Sequence, residues 1–275
     1  MADVTNQATF LGTRTASLGL LRKTLARAGL PLLLFVALIA FWEYVVQQEI
    51  VNPFLLAAPS QISTAMTTLL GEPEFWSSMR VTATETLLGF GLATGVGISL
   101  GAMVGMSSFL RRGLQPYIVL FQCLPKTALA PTFVVWFGFG MTSKVVHAAA
   151  IAFFPVFINT VAGLDSVGAS PQLLMSSYGA SKWQRVRKLS IPNALPFVFA
   201  GLKIGISFAL IGAIVSEFLG AREGIGFLIQ MNSFRARIDN VFALMAYLSV
   251  LGLVLYGAIA WLDKKVIFWR GNRVH

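Results

Sequence analysis

The stretch Val81-Thr-Ala-Thr-Glu85-Thr-Leu-Leu-Gly89-Phe90-Gly91-Leu-Ala-Thr-Gly95-Val-Gly97-Ile-Ser-Leu-Gly101-Ala-Met-Val-Gly105-Met106 carries a single charged side chain, Glu85. About 20 mostly apolar residues cross a bilayer as a helix, so Val81–Met106 reads as a spanning helix. Gly97, Gly101 and Gly105 recur every four residues, as do Gly91 and Gly95. Small residues at that spacing let two helix backbones approach closely in lipid. The alternative is a helix that merely tolerates glycine, which is common in membranes.

Five further apolar runs flank this one: Leu30–Val46, Leu114–Phe137, Val145–Leu164, Leu195–Val215 and Val241–Leu262. The expectation is an all-α polytopic membrane protein with about six transmembrane helices. Composition agrees. Of the 275 residues 56% are hydrophobic and only 12% charged, against roughly 25% charged in a soluble domain. Pro125 and Pro131 interrupt the third run, and Pro155 lies in the fourth. Proline removes a backbone donor and bends a helix. Bent backbone at membrane depth is tolerated where protein or an aqueous path covers it. Pro131 is therefore a translocation-pathway candidate, with an inert kink as the alternative.

The single cysteine, Cys123, excludes an intrachain disulfide and a cysteine-based metal cluster. A net charge of +10 would suggest nucleic acid in a soluble protein. Here the basic residues cluster at the ends of apolar runs, where they set orientation, and no nucleic-acid partner is expected. With the N-terminus inside, fourteen Lys and Arg fall on the inner side, and Arg80, Lys144, Arg222, Arg235 and Arg237 fall outside. That asymmetry places both termini in the cytoplasm. The expected division is a basic N-terminal segment 1–29, a membrane domain 30–265 containing a cytoplasmic connection 165–193, and a tail 266–275. The basic segment before Leu30 resembles a signal peptide, but Trp42, Glu43 and Tyr44 follow the apolar run in place of a small-residue cleavage site. An uncleaved first span is expected.

The connection reads Ser170-Pro171-Gln-Leu-Leu-Met-Ser-Ser177-Tyr178-Gly179-Ala180-Ser181-Lys-Trp183-Gln-Arg185-Val-Arg-Lys-Leu189-Ser-Ile-Pro192. Ser170-Pro171 suits a helix start. Gly179 breaks the segment, and a second stretch runs from Ser181 to Leu189. Trp183, Val186 and Leu189 share a face, with Lys182, Arg185, Arg187 and Lys188 around the rest. Such a short amphipathic unit can lie on anionic lipid, serve as an ordinary basic loop, or dock a partner.

Gly179, nine residues, Leu189, one residue, then Ile191-Pro192 resembles the cytoplasmic loop of binding-protein-dependent ABC importer permeases. That loop has the form Glu-Ala-Ala, three residues, Gly, nine residues, Ile, any, Leu, Pro. Pro196 and Gly201-Leu202-Lys203 continue the match. Leu173, Leu174 and Met175 stand where the family has Glu-Ala-Ala. Leu124-Pro125-Lys126 to Pro131, Trp136 to Gly140, Phe153-Phe154-Pro155 with Asn159-Thr160, and Glu217 with Gly224-Ile-Gly226 are similar to the nitrate, sulfonate, taurine and bicarbonate branch. Glu85 departs from it, standing where many members carry a basic residue.

The resemblance implies a type I ABC importer permease fold in a prokaryotic inner membrane. It implies a second permease chain, as a homodimer or with a similar permease, and ATPase subunits on other chains that bind ATP and Mg. An external solute-binding protein delivers the solute, which the resemblance implies is a small anion or related small molecule. Ser177, Tyr178, Gly179, Ala180, Ser181, Trp183, Arg185 and Pro192 are the residues it assigns to ATPase coupling.

Charges inside a membrane are costly and functional suspects by default. Glu85, Lys126 and Glu217 are pathway candidates. Lys126 reads as an attractor for an anion, as a snorkelling lysine, or as a partner for Glu85 or Glu217. Glu217 reads as a gate or a structural hydrogen-bonding group. Lys203 is expected to snorkel, His147 to be solvated near the outer surface, and Glu43 to anchor the first span at the interface. An intramembrane enzyme would need a nucleophile with its base, paired carboxylates or metal ligands. The sequence offers no such catalytic or metal-binding set, and no Gly-rich loop ending in Gly-Lys-Ser/Thr. A self-contained channel or secondary carrier is the remaining alternative, and it would need no coupling loop.

Overall fold

The computed structural model describes residues 31–269 apart from 32 and 53. The chain divides between Ala65 and Met66 into two compact units. The first contains helix α1, Leu33–Gln47, and most of α2, Pro59–Leu70. Glu43 does more than sit at an interface. Its carboxylate accepts the Ser60 amide at 3.0 Å and the Ser60 hydroxyl at 2.6 Å, in the first turn of α2. A negative group there offsets the exposed amides of a helix start.

The second unit is helical among its described residues. Its long helices are α3 (Pro73–Gly105), α4 (Ser108–Cys123), α6 (Met141–Asp165), α9 (Ile191–Phe218) and α11 (Ile238–Val266). Shorter helices are α5 (Ala130–Phe137), α7 (Ala169–Ser177), α8 (Lys182–Arg185) and α10 (Ile225–Phe234). α3, α6 and the stretch from α8 through α9, and α11, are each long and apolar enough to cross a membrane. α4 and the segment Lys126–Phe137 meet that test only as a pair bent by 76°. The described residues thus supply four spans, or five with the bent pair. The sixth expected run corresponds to α1, which is apolar but shorter than a span over Leu33–Gln47. The expected segment 1–29, Leu30, and residues 270–275 of the expected tail 266–275 lie outside the described residues.

The bend follows from Pro125. A residue before proline is pushed out of the helical region, and Leu124 is extended at φ −66° and ψ 131°. A 3₁₀ turn, Lys126–Leu129, restarts the chain. Pro131 then falls in the first turn of α5, where its missing amide costs nothing. By contrast, α6 continues through Pro155 as one helix.

α3, α6 and α9 form the packed centre, and glycine sets their separation. A Cβ on Gly97 would lie 3.1 Å from Val156, on Gly101 2.7 Å from Thr160 and on Gly105 2.9 Å from Leu164, all on α6. α9 packs on the same helix through Gly201 and Gly212, whose added Cβ atoms would meet Asn159 and Ala148 at 2.7 and 2.8 Å. The Gly97 row is therefore used within the chain. The Gly91 and Gly95 row differs: nothing lies within 4 Å of either.

Gly101→Leu should lower stability by about 1–3 kcal/mol, the cost of forcing extra methylenes into a filled contact. Gly95→Leu should have an effect within about 0.5 kcal/mol. Thermal unfolding of the purified chain in detergent checks both.

Candidate functional site

The connection after α6 is built as two helical arms around one turn. α7 starts at Ala169 with Gly168 as its cap, one residue before the expected Ser170, which lies inside the helix. It ends in a Schellman turn. The Gly179 amide donates to the Ser176 carbonyl at 2.9 Å and the Ala180 amide to the Met175 carbonyl at 3.0 Å. This turn requires a left-handed residue after the cap, and Gly179 has φ +71°. Nothing lies within 4 Å of a Cβ built there. A substitution at Gly179 is thus penalised by backbone conformation and not by a steric push on the neighbouring helix.

Ser181 starts the second arm with a capping box. Its hydroxyl accepts the Gln184 amide at 3.2 Å, and its own amide donates to Gln184 Oε1 at 2.8 Å. Arg185 Nη1 donates to Ser176 Oγ at 2.9 Å and ties the arms together. Ser177, Tyr178, Gly179, Ala180, Ser181, Trp183 and Arg185 are thereby gathered in one turn. Tyr178 is 84% exposed and Trp183 67% exposed. The expected separate helix Ser181–Leu189 is not separate. A π-helical turn, Val186–Ser190, carries α8 directly into α9, where Pro192 occupies the first turn. A displacement of the turn therefore acts on a spanning helix through continuous backbone.

The second cluster lies deep between α3, α6 and α9. Glu85 is fully buried, and Lys144 Nζ donates to its Oε1 at 2.8 Å with Lys144 itself 7% exposed. The sequence placed Lys144 in an outer connection and offered Lys126 as the partner of Glu85 or Glu217. The cation beside Glu85 is Lys144 instead, because α6 begins four residues before the expected Val145 and brings Lys144 into the packed centre. A cavity of about 580 Å³ opens beside the pair, lined also by Phe139, Met141, Arg222 and Glu223.

Glu217 fastens α10. Thr82 Oγ1 donates to its Oε1 at 2.6 Å, and the Gly226 amide donates to its Oε2 at 2.6 Å. The Ile225 amide donates to the Thr82 hydroxyl at 2.9 Å. Gly224, at φ +114°, leaves room for the carboxylate where any Cβ would overlap it. The carboxylate thus occupies a helix N-terminus, where exposed amides favour negative charge. This geometry gives Glu217 a hydrogen-bonding role.

Lys126 is engaged at the bend. Its Nζ donates to the Gln122 carbonyl at 3.1 Å and lies 4.6 Å from the centre of the Phe154 ring. A lysine on a terminal helix carbonyl and over an aromatic face is a favourable arrangement, and it does not require a solute. His147 was expected to be solvated but is fully buried. Its Nδ1 meets Ser216 Oγ at 2.6 Å, and its Nε2 meets the Lys126 carbonyl at 3.2 Å. It joins the bend to α9. Lys203 pairs with Asp263 of α11 at 2.5 Å instead of reaching freely to the interface. Pro131 is exposed at the start of α5.

Comparison with known proteins decides the identity. Residues 93–268 match the family described as "Binding-protein-dependent transport system inner membrane component". The chain belongs to this family. It is an ABC importer permease subunit, a multi-pass membrane protein that works with ATPase subunits. It is 35% identical over 241 residues to the formylaminopyrimidine transport permease protein ThiX of Halalkalibacterium halodurans, covering 87% of this chain and 95% of that one. It is 34% identical over 248 residues to the riboflavin transport system permease protein RibX of Chloroflexus aurantiacus, covering 89% and 91%. The taurine transport system permease protein TauC of Escherichia coli is 29% identical over 240 residues, covering 86% and 87%. A chain of the MetNI methionine ABC transporter, solved in an inward-facing conformation, shares the fold at TM-score 0.58 and 19% identity, covering 72% of this permease and 97% of that chain.

Lys144→Met leaves the Glu85 charge buried without its cation and should destabilise the permease by about 3–5 kcal/mol. Glu85→Met with Lys144→Met should recover most of that loss, since an apolar pair of similar volume is often tolerated. Chemical unfolding of the single and double variants distinguishes a structural ion pair from an idle one.

Proposed function

We propose that the turn from Ser177 to Arg185 is the element through which the ATPase subunits drive this permease, with Pro192 fixing its entry into α9. The observation that carries this reading is the rigid two-armed turn itself. It presents exposed Tyr178 and Trp183 and runs without a break into a spanning helix. Rigid elements of this kind transmit domain movements as whole-body shifts. A channel or secondary carrier has no use for it.

In this reading the permease is non-catalytic. ATP and Mg are bound by the partner chains, and no cofactor is held by this one. Two permease chains form the pathway, and an external binding protein supplies a small-molecule solute. The relatives' names cover a pyrimidine, a flavin and an amino-sulfonate, which supports a small organic molecule without fixing its charge. Lys126 gives the anion alternative little support, being engaged by Gln122 and Phe154. Glu85 and Glu217 act as structural supports of the pathway helices, and Pro131 restarts the bent segment along it. Both termini face the cytoplasm of a prokaryotic cell, a reading that the basic-residue asymmetry supports.

Gly179→Asp places a side chain at φ +71°, a conformation that costs most L-residues roughly 1–2 kcal/mol and Asp less, and adds a carboxylate beside Lys182 and Arg185. The variant should insert and fold normally, yet lose most solute uptake and most binding-protein-stimulated ATPase activity in reconstituted vesicles. Full uptake with normal stimulation would remove the coupling assignment.

With Cys123 replaced, a cysteine at Ser181 should react with a membrane-impermeant thiol reagent only in inverted or opened vesicles. Reaction from outside intact cells would reverse the orientation.

A further inference from the structure

A second cavity, of about 270 Å³, lies behind the coupling turn and is lined by Gly105 and Met106 at the end of α3, by Gln172, and by Lys182, Arg185 and Ser190. It is smaller than the roughly 300–1,000 Å³ of sites that take drug-sized molecules. Its charge is one-sided. Between Gly105 and Ser216 the sequence has one acidic residue, Asp165. That carboxylate is already held by Arg111 at 2.5 Å. The pocket therefore has two cations and no anion among its lining residues.

The cation at its back is oriented and incomplete. Arg185 Nη1 is fixed by Ser176 Oγ, while Arg185 Nε is buried with no hydrogen-bond partner. A buried donor on a charged group that lacks an acceptor is costly, and a native structure with one calls for an explanation. Gln172 and Ser190 add neutral polar groups around the same space. The wall carrying Val186 and Ser190 is the π-helical turn, an irregularity frequent at functional sites.

We propose that this pocket binds a phosphate-type anion, which accepts from the Arg185 guanidinium and the Lys182 ammonium. A guanidinium held in place through one nitrogen and a nearby ammonium suit a tetrahedral oxyanion. Bound there, the anion lies between the second arm of the turn and the end of α3, beside the junction with α9. The anion is either a free phosphate or the phosphate of an anionic lipid headgroup; the chemistry of the site is the same for both. This proposal concerns binding to the permease itself and does not depend on ATPase coupling.

The test uses the full-length purified permease with two probes. Inorganic phosphate is titrated by calorimetry in detergent, and retention of phosphatidylglycerol is measured by native mass spectrometry. At least one probe should bind at one site per chain. Lys182→Met, a change at an exposed residue, should weaken that binding at least tenfold. Lys188→Met, a basic neighbour outside the pocket, should leave it within twofold. Phosphate binding with this pattern assigns a free-anion site, and lipid retention with this pattern assigns a headgroup site. Either supports the proposal. Absence of binding by both probes, or equal loss in both variants, as expected of a diffuse basic surface, overturns it. Thermal unfolding of each variant establishes that the fold is retained, and Lys182→Arg, which keeps the cation, should restore binding.

Discussion

Close approach of α3 and α9 to the two sides of α6 is the constraint on which the rest of this permease depends. Lipid tails are as apolar as leucine, so helices in a bilayer are not driven together by hydrophobicity and need packing that lipid cannot supply. Gly97, Gly101 and Gly105 provide it against α6 from one side, and Gly201 and Gly212 from the other. The contact brings Glu85 to Lys144 and Thr82 to Glu217. A charge buried at this depth is tolerable only when it is paired or multiply hydrogen-bonded, so the glycine seam and the polar cluster require each other.

The same centre holds α10 and the bent segment to one frame. Glu217 fixes the start of α10 through the Gly226 amide. His147 fixes the bend after α4 through the Lys126 carbonyl and connects it to Ser216 of α9. At the other end of α9 the backbone continues through a π turn into the turn around Gly179. A single helix thus joins the Gly179 turn, the bent segment and α10. The turn around Tyr178 is thus joined by unbroken backbone to the helix that holds both the bend and α10.

Much of this was legible in the sequence because its signals are local. Apolar runs of spanning length located α3, α6, α9 and α11, and Pro125 located the bend. The Gly179 spacing located the turn, because a left-handed position after a helix end has few solutions other than glycine. What sequence could not supply was the pairing of charges far apart in the chain. Lys144 lies 59 residues from Glu85, and only the early start of α6 turns it inward. His147 was misread for the same reason, since its partners come from α9 and from the bend. The π turn that fuses the second arm to α9 left no pattern at all, since Val186 to Ser190 are ordinary helix-compatible residues.

The most direct measurement is site-directed crosslinking in the assembled transporter. In a Cys123→Ser background, Tyr178→Cys treated with a short bifunctional thiol reagent should join the permease to an ATPase subunit bearing a cysteine in its docking groove. Glu223→Cys, beside the Lys144 cavity, should give no such product under the same conditions. Crosslinking from position 223 with none from position 178 would contradict the account, because the ATPase would then meet the opposite end of the permease.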